Sequence, residues 1–182
     1  MEAILGISQD IFLDSWQNMT TKPELKTAYY EAGHAVMSYV LRRRFTSVSI
    51  VPGDDYFGKM DTPDSNLFDI PYEIPARIRK RIEADIMIQF AGAAAEEIYS
   101  GRHSGKGASG DNFGAVHYAE FLVSSDDELE PYIGWLWIRA RNILQLPVNW
   151  AVVEALANEL IRDKTIGYRR ARRIIADAMI GS

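Results

Sequence analysis

An α+β fold, mainly α, with a small β-hairpin and a C-terminal helical bundle, is predicted by three features of the sequence. Apolar residues recur at helical spacing from Pro75 through Ile78, Ile82, Ile86 and Phe90 to Ile98. The C-terminal third reads as three more helices, 126–146, 147–162 and 165–180. Between the first helices, Phe45 to Val51 alternates with β-branched Thr46, Val48 and Ile50, and Pro52-Gly53-Asp54-Asp55 supplies a turn before a second short run, Tyr56 to Met60.

Taken from the start, Ile4, Ile7, Ile11 and Phe12 fall at helical spacing, so a short amphipathic helix ends near Trp16. It is expected to dock on its own domain, a partner-binding helix being the other reading. Thr21 is a candidate cap and Pro23 stands where a missing N–H does no harm, so a helix is expected from there to about Arg43. The stretch 62–75 carries three prolines and scattered acids, the pattern of a surface loop. In the long helix the small residues Ala91 to Ala95 permit close packing, and Gly101 is placed as a left-handed stop. A glycine-rich loop runs from Gly101 to Gly110, and Asp111 begins a helix to about Val123. No internal repeat or low-complexity linker is found.

Composition narrows the chemistry. A chain of 182 residues, 47% hydrophobic, can bury one sizeable core. Twenty basic against 25 acidic residues give a formal charge of -5, which disfavours nucleic acid and anionic membrane surfaces as partners. With no cysteine there is no disulfide, thiolate site or thiol nucleophile, so a metal would need His, Asp, Glu or Tyr, and the only histidines are His34, His103 and His117. The longest apolar stretch, Ile86 to Ala95, falls short of the roughly 20 residues of a membrane span. The N-terminus lacks the basic region of a secretory signal, so a cytoplasmic location is expected.

The segment Ala28-Tyr29-Tyr30-Glu31-Ala32-Gly33-His34-Ala35-Val36 carries the most chemical information. Positions 30 and 34 lie one helical turn apart and leave the same face, the geometry of a bidentate metal clamp. In the H-E-x-x-H pattern two histidines bind zinc and the Glu acts as general base on metal-bound water; here the string is Y-E-A-G-H, one ligand short. By itself a lone helical His is more often a packed structural residue.

Its wider context strongly resembles the A-Y-H-E-A-G-H-A-V string of FtsH-type zinc metallopeptidases. The resemblance continues in order through Val48 to Pro52, Gly58, Phe90 to Ile98, Gly101, the segment Gly107-Ala108-Ser109-Gly110-Asp111, and Glu159 to Thr165. It divides the chain into a helical leader, residues 1–23, and an FtsH-type metallopeptidase-like domain of zincin-like fold, residues 24–182. It implies Glu31 as general base, His34 and Asp111 as zinc ligands, and Tyr30 at the position of the missing histidine. Three protein ligands are needed to lower the pKa of a zinc-bound water to about 7. A phenolate at pH 7 costs roughly 4 kcal/mol from an unperturbed pKa near 10. Its oxygen also overshoots a metal placed for the other two ligands, so zinc is expected to be bound weakly or not at all, with proteolysis impaired or lost.

Two other readings stay open: an active zinc endopeptidase using Tyr30 or His103 as an unusual ligand, and a non-catalytic module binding a peptide or sister subunit. A peptide or unfolded protein would be the substrate if the chain is active, and homo-oligomerisation is left open. His117, six residues after Asp111, is expected to point elsewhere, and Glu96 or Glu97 would either orient His34 or form ion pairs. Gly101 to Gly107 does not make a phosphate loop, having three rather than four residues before its Gly-Lys, so no ATP site and no ATPase module is expected in this chain. The basic clusters at 42–44, 77–81 and 169–173 read as last-turn and solvated helix charge. Tyr132, Trp135, Trp137 and Trp150 read as core, with an interface as the alternative.

Overall fold

The computed structural model describes residues 22–53, 58–61, 73–101 and 109–180, without the side chains of residues 22 and 109–113. The leader and most of the loop expected at 62–75 therefore lie outside the described residues. The elements are α1 (Lys22–Val40), β1 (Ser47–Ser49), β2 (Lys59–Asp61), α2 (Ala76–Ser100), α3 (Ser109–Glu120), α4 (Asp126–Leu144), α5 (Pro147–Asp163), β3 (Thr165–Gly167) and α6 (Tyr168–Ile180). Mainly helical with a small antiparallel sheet, this is the α+β class the periodicities predict.

Helix α2 is the axis of the core because its apolar stripe is continuous. Ile82, Ile86 and Phe90 are buried, and the small run Ala91, Ala94 and Ala95 lets neighbouring helices approach closely. It packs against α1, α3 and α4, while α1 also packs on α5 and α5 on α6. Pro75 precedes the first turn, and Gly101 closes the helix at φ 65 with its amide bonded to the Glu97 carbonyl, as the glycine predicts.

Helix α1 ends at Val40, three residues before the expected Arg43, with neither glycine nor proline to mark the stop. Arg42 takes φ 57, its amide bonds the Tyr39 carbonyl at 3.1 Å and the Arg43 amide bonds the Ser38 carbonyl at 2.7 Å. These two bonds form a Schellman closure with arginine in the left-handed position. The turn delivers Arg43 to Asp85 of α2 through two bonds, Nε to Oδ1 at 2.8 Å and Nη2 to Oδ2 at 3.0 Å. Burial raises the Asp85 carboxyl above its usual range, opposed by the Arg43 guanidinium.

The predicted hairpin exists, with Ser47 opposite Asp61 and Val48 opposite Met60. A third strand was not anticipated: β3 pairs with the other side of β1, placing Ile166 opposite Val48 and giving the order β2-β1-β3. The last helix therefore begins at Tyr168 rather than 165. Its single apolar residue explains why this strand escapes notice. Ile166 is buried between exposed Thr165 and Gly167, too short a pattern to show a period of two, and Thr165 reads equally well as a helix cap. Lys164 at φ 62 makes the break.

One glycine gives a direct test of the helical frame. Gly134 lies inside α4, and a Cβ added there meets nothing within 4 Å. Gly134→Ala is therefore expected to stabilise the protein by about 0.5–1 kcal/mol, through helix propensity and a less entropic unfolded chain. Denaturant titration checks this; a loss of stability would mean that α4 is not helical there.

Candidate functional site

The residues singled out in the sequence lie on the inner side of α1. Glu31 and His34 are buried, 4% and 8% exposed, and Tyr30 is half-buried. As expected for positions one turn apart, the rings of Tyr30 and His34 meet edge to face with centroids 4.8 Å apart. The His34 Nδ1–H donates to the Ile88 carbonyl of α2 at 2.6 Å. A carbonyl can only accept, so the neutral ring carries its lone pair on Nε2. That is the nitrogen a metal would use.

Three glycines make the arrangement possible. A Cβ on Gly92 of α2 would stand 2.4 Å from His34 Nε2 and 2.7 Å from Tyr30 Cε1, so both rings rest on bare backbone. A Cβ on Gly33 would stand 2.4 Å from the Ala91 carbonyl oxygen and 2.6 Å from Ala95 Cβ, so α1 and α2 touch through hydrogen alone. On the other side, a Cβ on Gly58, just before β2, would lie 2.7 Å from both Cγ and Oε1 of Glu31. The lead-in to the edge strand thus covers the Glu31 carboxylate, and Ser38 Oγ approaches Met60 Sδ at 3.6 Å across the same junction.

Asp111 lies on the first turn of α3, which packs on α2, but its side chain is outside the description, and His103 lies outside the described residues. His117 is exposed on α3, 3.5 Å from Glu120 and edge-on to Phe121 at 5.2 Å, a surface position. Glu96 pairs with Lys26 at 2.9 Å and Glu97 with Arg141 at 3.3 Å, so both take the ion-pair role, while the carbonyl of Ile88 orients the His34 ring. Among the described residues no three His, Asp or Glu side chains are gathered so as to hold a metal ion. The described donors around His34 do not by themselves fit a three-ligand zinc centre.

The aromatic group divides. Trp137 packs edge-on against core Phe90 at 5.5 Å, and Trp150 stacks on Tyr29 at 5.7 Å while its indole N–H donates to Glu154. The Tyr132 hydroxyl donates to Glu83 at 2.6 Å, and burial followed by that carboxylate pushes its pKa up to about 12. Trp135 is 49% exposed. For two basic clusters the last-turn explanation fails: Arg77, Arg79 and Lys80 open α2, and Arg169, Arg170, Arg172 and Arg173 open α6, at helix ends where the dipole disfavours cations. Solvation and pairing compensate, with Arg79 bonded to the Leu122 carbonyl and Arg170 to Glu159 and Asp163. Among the described residues no helix is long and apolar enough to cross a membrane.

Sequence reasoning did not single out Gly92 or the Ile88 carbonyl. Gly92 was visible only as part of a small-residue run, and a backbone acceptor leaves no mark in a sequence. No family model matches the chain. It is similar to the ATP-dependent zinc metalloprotease FtsH of Haemophilus influenzae, 26% identical over 178 residues, which cover 88% of this chain and 26% of the relative. It is likewise similar to the ATP-dependent zinc metalloprotease FtsH 2 of Methylacidiphilum infernorum, 28% identical over 175 residues, covering 87% of this chain and 25% of the relative. The chain thus spans about a quarter of the length of these relatives, and the similarity supports a distant relationship to FtsH zinc metalloproteases.

Proposed function

We propose that this chain is a metallopeptidase-like domain of zincin-like architecture, related to FtsH-type zinc endopeptidases, in which Tyr30 has impaired the metal site and with it proteolysis. The observation that carries this reading is the edge-to-face pairing of the half-buried Tyr30 phenol with the buried His34 imidazole on α1, the helix that also buries Glu31. In this reading His34 Nε2 is a metal ligand, Asp111 supplies the carboxylate ligand, and Glu31 is the general base. Zinc, when bound to such a set, lowers the pKa of its water to about 7 and polarises a peptide carbonyl. The described donors fall short of three, so no hydrolytic step through zinc is derived.

What the chain's own residues do is hold a shape. The Ile88 carbonyl fixes the imidazole tautomer, Gly92 gives both rings room, and Gly58 brings the edge of the sheet over Glu31. A peptide or unfolded protein is the ligand class that fits an edge strand beside a buried carboxylate, because an extended chain can continue the ladder. The test is degradation of casein in the presence of zinc. The wild-type chain is expected to cleave it no faster than Glu31→Gln. Measurable cleavage that falls by about 100-fold or more in Glu31→Gln would instead establish a working endopeptidase.

A further inference from the structure

Helix α4 buries Leu136, Ala140 and Leu144 against the core and turns its opposite face outward, uncovered by any other described element. On that face Glu128, Pro131, Trp135, Ile138, Arg139 and Asn142 are all exposed, and three- and four-residue steps link them into one stripe about 21 Å long. Its centre is apolar, with Trp135 49% and Ile138 56% exposed. The Trp135 ring is held in place from two sides. It stacks on Tyr132, centroids 6.3 Å apart, whose hydroxyl is itself bonded to Glu83, and the Arg139 guanidinium lies 5.3 Å from its centre. An aromatic ring already fixed at the surface loses little freedom on being covered, which is the property of an interface anchor. Among the described residues no carboxylate pairs with Arg139.

The occupant follows from the charge along the stripe. Asp126, Asp127 and Glu128 open the helix and Arg139 stands beyond Trp135, so the face is complementary to itself when reversed. A partner of uniform charge would leave one end unmatched. A two-fold axis at Trp135 sets the two copies of α4 antiparallel, and positions equally far on either side of 135 then lie level with each other. Trp135 meets its own copy, and Arg139 lies level with Pro131 of the second copy, about 4.5 Å along the axis from that copy's Glu128. At about 100° per residue, 128 and 139 fall on one flank of the stripe and 131 and 138 on the other. The two-fold keeps each flank with itself. Arg139 therefore reaches Glu128 along one side, and Ile138 covers Pro131 along the other.

We infer that α4 is the contact of a two-fold dimer of this chain, with Trp135 and Ile138 at its centre and an Arg139 to Glu128 pair at each end. One helix against one helix is at the small end of interfaces that bury roughly 800 Å² per partner, so association in the micromolar range or weaker is expected. Sedimentation velocity on the full chain over about 1–500 μM tests this. The wild type is expected to pass from monomer to dimer within that range. Arg139→Glu and Glu128→Arg should each weaken dimerisation by about tenfold or more, because each sets like charges together at both ends. Mixing the two variants should restore it, since both ends of the mixed dimer then hold opposite charges. Ile138→Asp, at an exposed position outside the core, should weaken the dimer independently. A chain that stays monomeric throughout would overturn the inference, as would a dimer indifferent to Arg139→Glu and Ile138→Asp. Variants that do not re-associate on mixing would overturn it too, as would a wild-type assembly that grows beyond two copies.

Discussion

Tyr30→His is expected to raise zinc affinity by at least 10–100-fold, the scale on which even outer-sphere losses weaken metal sites. The wild-type phenol must lose a proton to become a strong ligand, at roughly 4 kcal/mol at pH 7, whereas an imidazole with a pKa near 6.5 is already mostly neutral there. Space favours the exchange. Tyr30 Cε1 rests against the open backbone of Gly92, and the smaller ring introduces no new contact on that side. The neighbouring His34 is already turned by the Ile88 carbonyl so that Nε2 carries the lone pair. Histidine and tyrosine have similar helix propensities, so α1 should keep its stability and the change should be confined to the metal. Competition against a chromophoric chelator measures the affinity. An unchanged value would mean that residues 30, 34 and 111 do not share a pocket.

Gly33→Ala is expected to destabilise the fold by about 1–3 kcal/mol, although alanine is the better helix former by about 1 kcal/mol. Overpacking outweighs propensity here because of what the new methyl would strike. The Ala91 carbonyl oxygen at 2.4 Å is backbone inside a helix and cannot rotate away, and the Ala95 methyl at 2.6 Å has no other rotamer. Helices α1 and α2 would have to separate, which also pulls His34 from the Ile88 carbonyl. The same substitution at Gly134 carries the opposite sign, so the pair separates helix propensity from packing. A Gly33→Ala variant as stable as wild type in denaturant titration would show that the two helices are not in contact at that point.

Much of this architecture was legible because it rests on long periodic signals. The stripe Ile82, Ile86, Phe90 sets α2, and the Tyr30 to His34 spacing alone puts two rings on one face. What stayed hidden is local or contributed by backbone. Strand β3 shows a single buried side chain, and the stop of α1 is an arginine forced into the left-handed region by two backbone bonds. The partner of His34 is a carbonyl 54 residues away, and every residue type supplies a carbonyl. Glu96 and Glu97 were ambiguous because a carboxylate near a histidine and one near Lys26 or Arg141 look alike until the helices are packed. Asp111 lies on the first turn of α3 with its side chain outside the described residues, so its relation to His34 rests on the resemblance.

The proposal that Tyr30 impairs a metal site is tested most directly by the zinc content of the wild-type chain after purification in zinc and removal of loosely bound metal. Far less than one equivalent per chain is expected, rising toward one in Tyr30→His. About one tightly held zinc per wild-type chain, lost in His34→Ala, would contradict the impairment and show that the phenol or another group completes the site.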